Sequence, residues 1–184
     1  MSEVKVATSN RGKAIEIITH LNKAGIRAVH LDIQYPEIRA DTFEEVVKAG
    51  VAHLRSTGLE EFIIDDSGLR VDALNGFPGV YSAYVYKTIG CQGILRLLTG
   101  QPNRGAEFIT VIGGFIRGQE VLISGVCKGK IAMTQKGTFG FGYDPIFIPD
   151  GETRTFAEMP VEQKNAISHR GRAVSAFIEW YKKQ

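Results

Sequence analysis

The sequence contains few cysteines, and their spacing excludes two common kinds of stabilised fold. Its two cysteines, Cys91 and Cys127, lie far apart and form no CxxC pair. This excludes a disulfide framework and a zinc site of the usual spacing. Two isolated cysteines are typical of a protein in a reducing, intracellular setting.

The chain also lacks the apolar segments of secreted and membrane proteins. Its first residues, Met-Ser-Glu-Val-Lys, have no apolar stretch of the kind found in a signal peptide. No hydrophobic run approaches the length needed to cross a bilayer. We therefore expect a soluble, cytoplasmic protein.

The charges show no excess of one sign. The 22 basic and 20 acidic residues give a net charge of +2, which argues against a broad nucleic-acid-binding face but does not exclude a local basic patch. With 184 residues, 43% of them hydrophobic, the chain is long enough to bury a core without disulfides or metal. We expect one domain over residues 1–184.

Strand and helix patterns alternate along the chain. Residues 3–8, 27–33 and the segment EFIID have strand character, and residues 11–24 and 41–54 show helical spacing. Residues 69–86 are expected to be loop-rich with a short strand or helix. A helix from Cys91, two long strands joined near RGQE, a short strand at DPIFIP and a last helix over 171–183 are expected to follow. This order predicts an α/β fold with a mixed sheet flanked by helices.

The segment TSNRGK, residues 8–13, lies where the first strand gives way to the first helix. Free N–H groups at a helix start attract anions, and a lysine there suits a phosphate. The alternative is an ordinary helix cap by Ser9 or Asn10 with a solvated lysine. Arg11 and Lys13 favour the anion, because the helix dipole disfavours cations at this end.

Two adjacent acids, Asp65 and Asp66, are predicted to leave the end of the apolar strand FIIDD. Carboxylates at a strand end commonly hold Mg²⁺, or one of them activates a water molecule. The alternative is a solvated turn over DDSG.

Two further segments combine polar and aromatic groups. In GTFGFGYDPIF, Phe141 and Tyr143 alternate with glycines before Asp144, a pattern suited to stacking on a base or to a glycine-rich turn. In EQKNAISHRGRA, the cluster of Lys164, His169 and Arg170 suits an anion or a carbonyl-rich ligand, or a solvated basic turn.

Together, the segments TSNRGK, DDSGLRVDALNGFPGVYSA, GFGYDPIF and TFAEMPVEQKNAISHR resemble the successive signatures of the inosine/xanthosine triphosphate pyrophosphatase family. The resemblance covers essentially the whole chain. It implies an elongated α/β structure with a central mixed sheet and two lobes with a cleft between them, usually as a homodimer. It also implies Mg²⁺-dependent hydrolysis of ITP, dITP and XTP to the nucleoside monophosphate and diphosphate.

The same resemblance implies roles for individual residues. Asp66, with Asp65 beside it, would be the catalytic carboxylate and a metal ligand, Glu37 a second magnesium ligand, and Lys13 a catalytic cation. The implied substrate-binding residues are Thr8, Ser9, Asn10, Arg11, Gly12, Lys13, Lys48, Ser67, Phe141, Gly142, Tyr143, Asp144, Lys164, His169 and Arg170.

Selectivity is expected at the purine 6-position, where Arg170 or a backbone N–H would donate to a 6-oxo group. An adenine would leave that donor unpaired. Three rival functions stay open: a pyrophosphatase for modified pyrimidines or dTTP, a nucleotide sensor without turnover, and a nucleic-acid-binding module.

Overall fold

In a computed structural model, residues 3–36 and 38–184 are described. Their strands and helices, in chain order, are β1 Val4–Ala7, α1 Arg11–Lys23, β2 Ala28–Leu31, α2 Phe43–Ser56, β3 Phe62–Val71, α3 Ser82–Leu97, β4 Gly105–Ile116, β5 Gln119–Ile131, β6 Phe147–Pro149, α4 Val161–Ile167 and α5 His169–Lys182.

The six strands form one sheet in the order β2-β1-β3-β4-β5-β6. Strand β1 is parallel to both β2 and β3, whereas β5 and β6 are antiparallel. Two residues, Arg117 and Gly118, join β4 to β5, and both have positive φ as a tight hairpin turn requires. The sheet is therefore mixed, and the predicted α/β class is confirmed.

The chain divides into two compact units, which are described one at a time. Unit 1 comprises Met1–Asp66, Thr110–Gly125 and Arg170–Gln184. Its core includes Ile17 and Leu21 of α1, Ile63 of β3 and Phe177 of α5, all fully buried. The spacing of Ile17 and Leu21 places both on one face of α1.

Unit 2 comprises Ser67–Ile109 and Val126–His169. Its core is rich in aromatic rings: Phe108 lies 4.7 Å from Phe147 and 6.0 Å from Phe156, measured between ring centroids. These rings pack with Leu69, Ile94 and other buried residues into one cluster. Aromatic side chains bury large apolar areas, so this cluster supplies much of the stability of unit 2.

Two sequence expectations were wrong at the level of elements. The strand containing Asp65 and Asp66 does not end there but continues to Val71, because buried Leu69 and Val71 resume the apolar pattern after the acids. The third helix begins at Ser82, well before Cys91, and is interrupted at Gly90, where φ is 59° and ψ is −165°. Its first half was missed because Tyr84 and other apolar side chains there are exposed, which hides the helical period.

Candidate functional site

The start of α1 is a capped helix N-terminus that carries Lys13 in its first turn. The Asn10 side chain accepts a hydrogen bond from the Lys13 backbone N–H at 3.1 Å, and Thr8 Oγ1 accepts one from the Asn10 N–H at 3.1 Å. Ser9 and Arg11 are exposed and Gly12 is half-buried. The Asn10 cap is therefore present, as the alternative interpretation of this segment predicted, and it leaves exposed polar groups beside a lysine.

Lys13 is held against β3 by Asp65. Its ammonium donates to the Asp65 backbone carbonyl at 3.1 Å and lies 3.4 Å from Asp65 Oδ2. The same carboxylate oxygen accepts from Arg170 Nε at 3.2 Å. Asp65 therefore lies between two cations that come from α1 and α5.

A second carboxylate, Glu16, completes this group from the next turn of α1. Glu16 accepts a hydrogen bond from Arg170 Nη1, and both side chains are almost fully buried. The alternating charges of Glu16, Arg170, Asp65 and Lys13 sum to zero. A buried group of this kind is tolerable because each charge has an opposite neighbour.

The protonation states of this group follow from burial and charge together. Burial opposes the charge on Asp65, but Lys13 and Arg170 outweigh it and lower the pKa of this carboxyl below its ordinary value. Burial likewise opposes the charge on Arg170, and Glu16 and Asp65 raise the pKa of its guanidinium. Asp65 therefore stays ionised as a partner of two cations.

Asp66 occupies a different environment. Successive side chains of a strand point to opposite faces of a sheet, so Asp65 and Asp66 diverge. Asp66 is half-buried, as is Ser67 after it. The two adjacent acids are thus not equivalent groups in one site.

Of the two predicted metal ligands, the structure describes only Asp66. Glu37 lies outside the described residues, which contain no cluster of three or more histidine, cysteine, aspartate or glutamate residues that could bind a metal ion. The Asp66 carboxylate has the oxygen donors and partial exposure that suit Mg²⁺, which keeps several water ligands.

In unit 2, residues 137–144 form a loop, here called the base loop, that is fixed by Asp144 and Lys164. Lys164 Nζ donates to Asp144 Oδ2 at 2.7 Å, and both side chains are 3% exposed. The same oxygen accepts from the Phe141 N–H at 2.8 Å, and Lys164 Nζ lies 4.9 Å from the centre of the Phe141 ring. The structure thus brings Lys164 against Phe141 and Asp144, which lie in a separate segment of the sequence but were predicted for the same pocket.

Two other residues predicted for this pocket are buried by their neighbours. The Tyr143 hydroxyl donates to the Ser82 carbonyl at 3.0 Å, and its ring packs edge-on against Tyr86. His169 is stacked on Phe108 at 4.5 Å with planes 11° apart. Within unit 2, Phe141 is therefore more exposed than Tyr143 as a stacking face.

Two other predicted substrate-binding residues, Lys48 and Arg170, belong to unit 1. Lys48 is exposed on α2. Arg170, predicted to act with Lys164 and His169, has Asp65 and Glu16 of unit 1 as described partners.

Glu16 was missed by the sequence analysis. The available signal was its position: it follows Ile15 and precedes Ile17 on a helix whose buried face includes Ala14 and Ile17. A glutamate is almost never fully buried unless it is paired. A single acid at such a position predicts a buried cation, but the identity of that cation, Arg170, depends on the tertiary fold.

Comparison with known proteins identifies the family. Residues 4–180 match the model of the Ham1 family. A dITP/XTP pyrophosphatase from Pyrococcus horikoshii is 53% identical over 95% of this chain and 94% of its own length, and one from Methanopyrus kandleri is 49% identical over 98% and 96%.

Solved structures agree with this assignment. A HAM1 protein from Coxiella burnetii has a TM-score of 0.85 at 32% identity, with full coverage of both chains. A nucleoside-triphosphatase / dITP/XTP pyrophosphatase from Mycobacterium abscessus has a TM-score of 0.71 at 38% identity, covering 96% of this chain and 98% of that one. The family resemblance in the sequence is confirmed, and the chain belongs to the Ham1 family.

Proposed function

We propose that the protein is a nucleoside triphosphate pyrophosphatase that converts ITP, dITP and XTP to the nucleoside monophosphate and diphosphate. The names of its relatives support the substrate class. The observation that carries the proposal is the pairing of Lys13, in the first turn of α1, with Asp65, immediately before Asp66. This pairing supports a site in which Lys13 binds phosphate and the adjacent Asp66 acts as base.

The polyphosphate is bound by residues 8–13 in this proposal. Residues 8–10, which we call the phosphate turn, and the first N–H groups of α1 offer donors, and Lys13 offers charge that offsets the negative charge of the transition state. Lys48 provides a further contact to phosphate. Asp65 acts by holding Lys13 in place.

Asp66 is the general base. Asp65 is a poor base because Lys13 and Arg170 lower the pKa of its carboxyl. Asp66 takes a proton from water as the water oxygen attacks the α-phosphorus, and the bond from that phosphorus to the diphosphate oxygen breaks. Ser67, next in β3, contacts the substrate.

Magnesium is the proposed cofactor, held by Asp66 and Glu37. When bound, it supplies positive charge that neutralises the triphosphate oxygens. The donor chemistry of Asp66 supports this assignment.

The purine is bound by the base loop and its partners. Phe141 stacks on the base, Gly142 lets it approach, and the buried Asp144–Lys164 pair fixes the loop. Tyr143 and His169 support the pocket from the core, and Arg170 or a backbone N–H donates to the 6-oxo group. We further propose that the protein is a cytoplasmic homodimer.

Diphosphate release across a nucleotide panel tests this function. We expect XTP, ITP and dITP to be hydrolysed at least about 100-fold more efficiently than ATP in the presence of Mg²⁺, because a mismatched 6-amino group leaves a donor unpaired. Equal hydrolysis of ATP and ITP would refute the 6-oxo selectivity. Preference for dTTP would favour the pyrimidine alternative, and tight binding without diphosphate release would favour the sensor.

A further inference from the structure

A side chain outside the predicted site, His30 of β2, contacts the phosphate turn. His30 Nε2 lies 2.7 Å from the Thr8 carbonyl oxygen. A carbonyl oxygen can only accept, so the ring nitrogen must be the donor. His30 is exposed at its position in β2, so packing into the core does not account for this contact.

Two consecutive residues of β2 hold Thr8. The Thr8 N–H donates to the Leu31 carbonyl at 3.1 Å, as the parallel pairing of β1 and β2 requires, and His30 binds the Thr8 carbonyl. The Thr8 hydroxyl in turn accepts from Asn10, whose side chain caps α1 at Lys13. A chain of hydrogen bonds therefore runs from His30 to the helix start.

The direction of the Thr8 carbonyl matters for an anion. A carbonyl oxygen carries partial negative charge and repels phosphate, whereas the N–H groups that follow it attract phosphate. A hydrogen bond from His30 keeps this oxygen directed at the imidazole. It also fixes the dihedral angles at the residue where the strand ends and the turn begins.

We propose that His30 is a positioning residue of the phosphate turn, which holds the Thr8 carbonyl away from the bound triphosphate so that only donors face it. The identity of the triphosphate rests on the proposed function. The test does not, because it uses a simpler anion.

The test compares His30→Leu, His30→Asn and His30→Gln in binding of inorganic tripolyphosphate by calorimetry. Leu lacks a donor, the Asn amide is too short to reach Thr8, and the Gln amide nitrogen reaches about as far as Nε2. We expect Leu and Asn to weaken binding by about fivefold to tenfold, as for loss of one hydrogen bond, and Gln to bind within about twofold of wild type. His53→Leu, an exposed histidine of α2 in the same unit, is the matched control and should bind as wild type.

Equal binding by wild type and His30→Asn would overturn the proposal, as would equal losses for Asn and Gln. If His30→Leu does not fold, the Asn and Gln pair decides alone. A second readout is steady-state hydrolysis of XTP, where KM should rise in His30→Asn and be restored in His30→Gln while kcat changes less than twofold. Failure of the wild-type protein to hydrolyse XTP would refute the proposed function. The tripolyphosphate binding result would still test the positioning role of His30.

Discussion

At the scale of single residues, we propose separate tasks for the two neighbouring aspartates of β3. Asp65 is buried between Lys13 and Arg170, and Asp66 is half-buried on the other face of the strand. An ionised group surrounded by cations contributes to structure and fixes its partners. The half-buried carboxylate of Asp66 is partly accessible to solvent.

Replacing each acid by its amide separates these tasks. Asp65→Asn leaves two buried cations short of a counter-charge, so we expect the free energy of unfolding to fall by about 3 kcal/mol or more in a urea titration. Asp66→Asn should change that free energy by less than about 1 kcal/mol and lower kcat for XTP by about 100-fold or more.

The two variants also serve as controls for each other. Near wild-type kcat in a folded Asp66→Asn protein at saturating Mg²⁺ would contradict the base assignment. Unchanged stability of Asp65→Asn would contradict the account of the buried charges.

The sequence identified most of these residues but not their partners. Lys13, Asp65 and Arg170 were recognised as candidate site residues because each is a charged residue at the start of a helix or after an apolar run. Glu16 did not, since its significance lies in Arg170, which is 154 residues away in the chain. Pairing between distant charges depends on how α1, β3 and α5 pack, and no local pattern encodes it.

At the scale of elements, α2 begins with a complete capping box. Thr42 Oγ1 accepts from the Glu45 N–H at 3.3 Å, and Glu45 Oε2 accepts from the Thr42 N–H at 3.1 Å. Hydrogen bonds from the Thr42 side chain and from the backbone of Thr42 and Asp41 lower the pKa of Glu45. Capping depends on residues within one turn, so a box of this kind can be recognised from the sequence alone.

Thr42→Ala should therefore destabilise the protein by about 1 kcal/mol at neutral pH. The pKa of Glu45 is lower in the folded state, so its stabilising contribution is complete above its unfolded pKa and is lost as pH falls through its folded pKa. The difference between wild type and Thr42→Ala, measured by urea unfolding, should shrink at acidic pH as Glu45 becomes protonated. Thr88→Ala, on exposed α3, is the control, and a pH-independent difference would contradict the cap.

The base loop requires glycine at residue 140. Gly140 has φ of 71°, and a Cβ there would lie 2.0 Å from Asp144 Oδ2. That oxygen cannot move freely because Lys164 and the Phe141 N–H both bind it. An added methyl group would therefore displace the carboxylate that fixes the loop.

Gly140→Ala should raise KM for XTP by about tenfold or more. Gly151→Ala is the matched control, since Gly151 has φ of 83° but nothing within 4 Å of an added Cβ. Both variants carry a similar backbone penalty of about 1–2 kcal/mol, visible in thermal unfolding, but only Gly140→Ala should affect KM. Equal KM values for the two variants would refute the role of the loop.

At the scale of the whole molecule, the sequence predicted the class of fold better than the course of each strand. Alternating strand and helix patterns were enough for a mixed α/β sheet. These patterns did not predict that β3 continues beyond Asp65 and Asp66, because two adjacent charged residues are typical of the end of a strand. The partner cations that make those acids tolerable in a strand are supplied by α1 and α5.

The predicted cleft, the dimer and the second metal ligand Glu37 stay predictions. Among the described residues, no helix is both long and apolar enough to cross a bilayer. The chain divides into two compact units, and the predicted lobes stay a prediction. The charged group lies in unit 1 and the base loop in unit 2, so their roles can be tested separately.

The central claim is that water attacks the α-phosphorus of a non-standard purine triphosphate, with Asp66 as base. Hydrolysis of XTP in water enriched in oxygen-18, followed by mass spectrometry of both products, tests it most directly. The account predicts one heavy oxygen in the nucleoside monophosphate and none in the diphosphate. Heavy oxygen in the diphosphate, or release of orthophosphate with a nucleoside diphosphate, would contradict it.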